Sequence, residues 1–133
     1  MDFMSNAGLY IAVIGASLAV ALACAGSGRG VGIVGEAAAG VISEDPNKFS
    51  SCLILQILPG MVVWFYALFT LGVIGGTPQT LTVAQGIGYL VACLPMGIGG
   101  YVTAIGQGRC AAAGVSLVAK RPEEMSKGII MAI

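Results

Sequence analysis

The first residues that could do chemistry in this chain are glycines. In AGSGRGVGIVGEAAAG (25–40), Gly30, Gly32 and Gly35 spell G-x-G-x-x-G. Between a strand and a helix, that spacing lets backbone amides cradle a pyrophosphate, with an acid about 20 residues on to hold a ribose hydroxyl. Here the acid is missing, because Phe49 to Ile57 contains none. The acids of the chain are Asp2, Glu36, Glu44, Asp45, Glu123 and Glu124. There is no histidine, and no two of Cys24, Cys52, Cys93 and Cys110 have C-x-x-C spacing. Zinc and disulfide scaffolds are therefore poor readings, and the cysteines read as packing residues. Gln56 and Gln107 are the polar candidates within apolar sequence.

The elements that carry these residues follow from composition. The chain has 133 residues, 57% hydrophobic and only 9% charged, where soluble domains average about 25% charged. So few charges could hardly cover a soluble surface. They are also clustered: none lies from Phe3 to Gly28, and none in the 60 residues from Phe49 to Gly108. A bilayer span needs about 20 apolar residues, so these gaps hold about three spans. The pattern predicts an all-α, multi-pass integral membrane protein. The start Met1-Asp2 lacks the basic flank of a secretory signal peptide.

Four helices are expected, over about 8–41, 51–73 and 81–119, with a fourth beginning near Ser126. Only GIIMAI (128–133) follows in the fourth, so the chain reads as a fragment whose last helix is incomplete. A shift of 76 residues aligns the two halves. Pro46 falls on Pro122, Gly30 and Gly32 on Gly106 and Gly108, and SEDPNKFSSCLIL (43–55) on AKRPEEMSKGIIM (119–131). Each half is a long small-residue helix, a polar loop with proline, and an apolar helix. The reading is a duplicated helical hairpin, 1–76 and 77–133. Lys48 in the first loop and Lys120, Arg121 and Lys127 in the third make those loops cytoplasmic by the positive-inside tendency. The N-terminus and the uncharged GGTPQT loop (75–80) then face the other side.

On a helix, residues four apart share a face while residues two apart lie nearly opposite. Gly26 with Gly30 makes one flat face and Gly28 with Gly32 another, extended by Gly35. Gly106 and Gly108 repeat the pattern in the third helix. Small residues let membrane helices approach closely, so two such faces imply close neighbours on both sides, as in an inner ring of helices. Helices one and three exceed the hydrocarbon thickness of about 30 Å. Their surplus, with Arg29, Glu36 and Arg109, either projects to meet a soluble partner or ends in the headgroup region with arginine snorkelling. Glu36 and Arg29 share roughly one face. Glu36 reads either as a solvated acid or as a contact to a neighbouring subunit or stalk.

Taken together, GSGRGVGIVGEAAAG (26–40), LILQILPG (53–60), IGQGRCAAAG (105–114) and KRPEEMSKGII (120–130) resemble the duplicated proteolipid subunit, called K or c, of V-type and A-type rotary ATPases. The resemblance spans nearly the whole chain. It implies four-helix subunits assembled into a homo-oligomeric ring. The ring turns against a stator subunit bearing an arginine and is coupled through central-stalk subunits to ATP hydrolysis or synthesis in a soluble head. Membrane lipids surround it, and no nucleic-acid partner and no covalently bound cofactor are expected. The transported ion is H⁺ or Na⁺, and catalysis belongs to other subunits. In this family a glutamate in mid-helix four carries the ion. A bare carboxylate at the bilayer centre costs at least about 2.5–3.5 kcal/mol, so it faces lipid only protonated or closed around a cation. No acid here lies mid-membrane. By the repeat, Gly60 corresponds to position 136, so the essential carboxylate is expected beyond Ile133.

The resemblance names the rest of the site as Leu58, Pro59, Gly60 and Met61 of helix two and Gln107 of helix three. Proline in a helix interior removes a donor and clashes with the carbonyl four residues back, here Leu55. That either frees backbone oxygens for an ion or is a tolerated kink. Gln107 matches the family's site glutamine, and by chemistry alone it could equally make an interhelical hydrogen bond. Sodium-binding members follow L-P-G with a hydroxyl and an amide, where this chain has Met61 and Val62. Sodium needs several oxygen ligands, so their loss favours H⁺. Trp64 and Tyr66 read as lipid-facing or packing residues. Two other readings stay open: a parallel-repeat carrier or channel without an ATPase head, and a truncated copy of the ring subunit that moves no ion. Sequencing the C-terminal peptide of the native protein by mass spectrometry checks the first point. The ring reading predicts Glu or Asp at or next to position 136; no acid there rules out ion carriage by this protein.

Overall fold

The computed structural model describes residues 6–76 and 80–133, so Asp2 and residues 77–79 of the GGTPQT loop lie outside the described residues. The described chain is built of helices: α1 (Ala7–Glu44), α2 (Phe49–Gly76), α3 (Val83–Lys120) and α4 (Met125–Ala132). α1, α3 and the segment Pro46–Thr70 are each long and apolar enough to cross a membrane. The protein is an integral, multi-pass membrane protein. α1 and α3 each have 38 residues, about 57 Å at 1.5 Å per residue, so both outrun the hydrocarbon core.

The helix ends have local causes. α3 starts at a capping box: the Gln85 backbone N–H donates to Thr82 Oγ1 at 3.3 Å, and the Thr82 N–H donates to Gln85 Oε1 at 3.0 Å. Thr82-x-x-Gln85 is a readable start signal, and it places the helix start two residues past Leu81. α1 and α3 end alike. Asp45 and Arg121 leave helical geometry with nearly the same backbone angles (φ −139°, ψ 94° and φ −140°, ψ 84°). Each is followed by a single 3-10 turn opened by proline, Pro46–Lys48 and Pro122–Glu124. Proline suits that position because its missing N–H has no partner to lose. Lys48 Nζ donates to the Ala119 carbonyl at 2.6 Å, so the first loop caps the last turn of α3, where a cation suits the helix dipole.

α1 and α3 run parallel and in contact over most of their length. Gly8 meets Gly86, Ala19 meets Gly97, Gly26 meets Tyr101, and Gly30 meets both Ala104 and Gly108. A Cβ built on Gly108 would lie 2.5 Å from the Gly30 Cα, and one on Gly26 would lie 2.5 Å from the Tyr101 Cα. This is backbone-on-backbone packing that only glycine permits. At the loop end, Val34, Cys52, Leu55, Val115 and Val118 from three helices form the fully buried core.

The G-x-G-x-x-G run lies deep inside α1, far from any helix N-terminus, so it cradles no phosphate. Replacing Gly30 or Gly108 by Leu is expected to cost more than the about 1–3 kcal/mol of an overpacked core, because the obstacle is backbone. Gly40→Ala, whose Cβ meets nothing within 4 Å, is expected to gain about 0.5–1 kcal/mol from helix propensity. Helix loss on SDS titration of the purified chain measures both.

Candidate ion site

The α1–α3 contact sets the heights of the polar groups inside the bundle. Ser27, buried on α1, donates its hydroxyl to the Pro59 carbonyl at 3.0 Å. A Cβ on Gly30 would meet Pro59 Cβ at 3.0 Å, so the proline ring of α2 sits against the glycine face of α1. Pro59 is fully buried within an unbroken α2. The Pro59 carbonyl thus has a donor on another helix, whereas the carbonyl that the proline deprives of its N–H is that of Leu55, one turn earlier. Ser27 was not legible as that partner, because one serine among small residues carries no signal of what it faces.

Beside this junction, α2, α3 and Ile133 line a half-open cavity of about 470 Å³. Leu58, Met61, Val62, Phe65 and Tyr66 line it from α2, Thr103 and Gln107 from α3, and Ile133 just past α4. Three of the site positions named above, Leu58, Met61 and Gln107, thus meet in one space. Pro59 lies behind its wall. Gly60 faces a different groove, between α1 and α2, with Val31, Gln56 and Trp64. Tyr66 lines this cavity and packs its ring at Gly100, so it faces inward. Trp64 is 73% exposed on the outer surface of α2.

Gln107 is the telling residue. Its Oε1 is buried and has no hydrogen-bond partner among the described residues. Leaving a buried acceptor unsatisfied costs about 1–3 kcal/mol, and such an atom calls for an explanation. Thr103, one turn earlier, donates its hydroxyl to the Gly99 carbonyl at 2.8 Å, which leaves its oxygen lone pairs as acceptors. Spacing of four from Gln107 puts Thr103 on the same face, a signal the sequence contained. The cavity therefore offers oxygen acceptors in an apolar wall, which suits a proton donor or a small cation. Among the described residues, no cluster of three or more His, Cys, Asp or Glu could hold a metal ion.

The seven glycines expected to pack fall into three groups. Gly26, Gly30 and Gly108 close the α1–α3 contact, and Gly35 meets the Gln56 amide of α2. A Cβ on Gly28, Gly32 or Gly106 would meet nothing within 4 Å. The charged trio Arg29, Glu36 and Arg109 lines one groove between α1 and α3. Arg29 already has a partner in the chain: it donates to the Tyr101 hydroxyl, and its guanidinium lies 5.5 Å from the centre of that ring.

The model of the ATP synthase C-subunit family matches residues 14–74 and 90–133. The chain belongs to the ATP synthase C-subunit family. Its matched segments cover the Pro59 junction in the first stretch and Gln107 in the second. The chain is 39% identical over 140 residues to the V-type sodium ATPase subunit K of Enterococcus hirae, covering 99% of this chain and 86% of that one. It is 36% identical over 128 residues to the A-type ATP synthase subunit K of Methanocaldococcus jannaschii, covering 94% of this chain and 54% of the relative, about half its length. Members of the family are membrane proteolipids, in keeping with three apolar helices of spanning length.

Ser27→Ala is expected to cost about 1 kcal/mol, the net worth of a hydrogen bond, in SDS-titrated unfolding. Gln107→Leu removes the orphaned acceptor and is expected to leave that stability unchanged or raised. A loss of more than about 1 kcal/mol in the leucine variant would mean that Gln107 is a structural hydrogen-bonding residue.

Proposed function

We propose that this chain is one copy of the homo-oligomeric rotor ring of a V/A-type ATPase or ATP synthase, carrying H⁺ across the bilayer as the ring turns. The observation that carries the reading is the buried, unpartnered Gln107 Oε1 in the cavity between α2 and α3, in a chain of the ATP synthase C-subunit family. The two hairpins, 1–76 and 77–133, are the repeated unit. The ion-carrying carboxylate is placed beyond Ile133, where the 76-residue repeat puts position 136 opposite Gln107. This is supported by the first half, where a Cβ on Gly60 would lie 3.7 Å from Val31 Cγ2, and Val31 is the repeat counterpart of Gln107. When protonated, the carboxyl donates to Gln107 Oε1 and faces lipid at low cost. Beside an arginine of the stator it ionises and releases its proton, because a nearby cation favours the charged form.

The partners follow from that cycle: the stator membrane subunit with its arginine, the central-stalk subunits, and lipid. Hydrolysis or synthesis of ATP belongs to the soluble head. The N-terminus lies on the non-cytoplasmic side. The loops at Asp45–Lys48 and Lys120–Lys127, which hold the basic loop residues, are cytoplasmic.

A second reading, Na⁺ as the carried ion, is favoured by the likeness to the V-type sodium ATPase subunit K of Enterococcus hirae and by Thr103 and Tyr66 beside Gln107. Met61 and Val62, apolar where sodium-binding members carry oxygen ligands, favour H⁺. Carbodiimide labelling of the native ring separates the two, since the reagent attacks only the protonated carboxyl. For H⁺, labelling slows as pH rises and is unchanged by Na⁺ at fixed pH. Protection by Na⁺ at fixed pH moves the assignment to sodium. No labelling under any condition contradicts ion carriage by this protein.

A further inference from the structure

We propose that Glu36 of one copy and Arg109 of the next form an ion pair that sets the register between adjacent copies. The inference rests on the ring assembly proposed above. Both side chains are exposed, and both line the groove that also holds Arg29 and Gly32. Arg29 is engaged by Tyr101. Glu36 and Arg109 have no ion-pair partner among the described residues, where the salt bridges are Lys48 with Asp45 and Lys127 with Glu124.

Their directions explain why they do not pair within one chain. Gly30 and Ala104 mark the line of contact between α1 and α3. At about 100° per residue, Glu36 points about 120° away from that line on α1, and Arg109 about 140° away on α3. Each therefore turns away from the other helix of its own chain, toward the same side of the α1–α3 pair. Directly opposite the contact line, within about 40° on the same reckoning, lie Gly28 and Gly32 on α1 and Gly99 and Gly106 on α3. A Cβ at any of these four meets nothing within 4 Å. If α3 of one copy lies beside α1 of the next, these open glycines permit close approach. Arg109 then leans toward the next copy and Glu36 leans back.

The heights agree as well. Parallel packing of Gly30 against Ala104 and Gly108 puts Arg109 level with position 33 of α1, about 4.5 Å along the axis from Glu36, within reach of a guanidinium. Other occupants fit less well. An anionic headgroup would suit Arg109 and be repelled by Glu36. A soluble stalk would have to reach about 12 Å down from the end of α1 at Glu44. A second copy supplies both charges at once.

The test uses the assembled protein with the exposed Cys24 and Cys110 changed to Ala, carrying Glu36→Cys and Arg109→Cys together. Oxidation followed by denaturing electrophoresis is expected to give a ladder of dimers, trimers and higher multiples. Only internally bridged monomer, or no bridge at all, overturns the pair. If the double-cysteine chain does not assemble, charge exchange decides. Glu36→Arg and Arg109→Glu alone are each expected to lose the ring, and the two together to recover it. No recovery overturns the pair. The unsubstituted protein is sized in mild detergent alongside. A monomer there sinks the ring reading itself, whereas an intact ring without the ladder or the recovery sinks only the pair.

Discussion

The rest of the structure depends on the backbone contact between α1 and α3. In lipid, helices gain little by hiding apolar side chains from one another, so association relies on close packing and hydrogen bonds. Here the closeness comes from Gly8, Gly26 and Gly30 on α1 against Gly86, Tyr101, Ala104 and Gly108 on α3. Glycine weakens a helix by about 1 kcal/mol in water. In the bilayer the helix has no competitor, since unpaired backbone groups there cost several kcal/mol. The usual objection to glycine-rich helices is thus removed by the solvent.

That contact fixes everything at mid-height. It places Ser27 against the Pro59 carbonyl and Arg29 over Tyr101. It also turns Gln107 away from α1 and toward α2, into an apolar space where its Oε1 has nothing to accept from. In the rotor proposed above, such a site would supply enough acceptor to hold one ion and too little to keep it when a competing charge passes. A more completely satisfied amide would stabilise the fold and serve the ion less.

Much of this was legible in the sequence, because membrane solvent simplifies the reading. Long charge-free gaps gave the helices, and their ends differ from expectation by only a few residues. The common ends of α1 and α3 followed from Pro46 and Pro122. The glycines were harder. Periodicity showed that Gly26 and Gly28 point in opposite directions, but not that Gly26 packs inside the chain while Gly28 stays open. That choice depends on which side α3 takes. Arg29 was read with Glu36 as one charged face, yet its partner is the phenol of Tyr101, 72 positions away, and no local pattern announces it. Tyr66 sits in a run of apolar and aromatic residues, and only the position of Gly100 shows that it turns inward.

The central claim is that the chain has one glycine face for itself and another for its copies. A cryo-electron microscopy map of the assembly purified from membranes tests this most directly. The account predicts an inner circle in which α1 and α3 alternate, with Gly28 and Gly32 against the neighbouring α3, and α2 outside with Trp64 toward lipid. A map in which Gly28 and Gly32 contact only lipid, or in which the protein is a monomer, would contradict it.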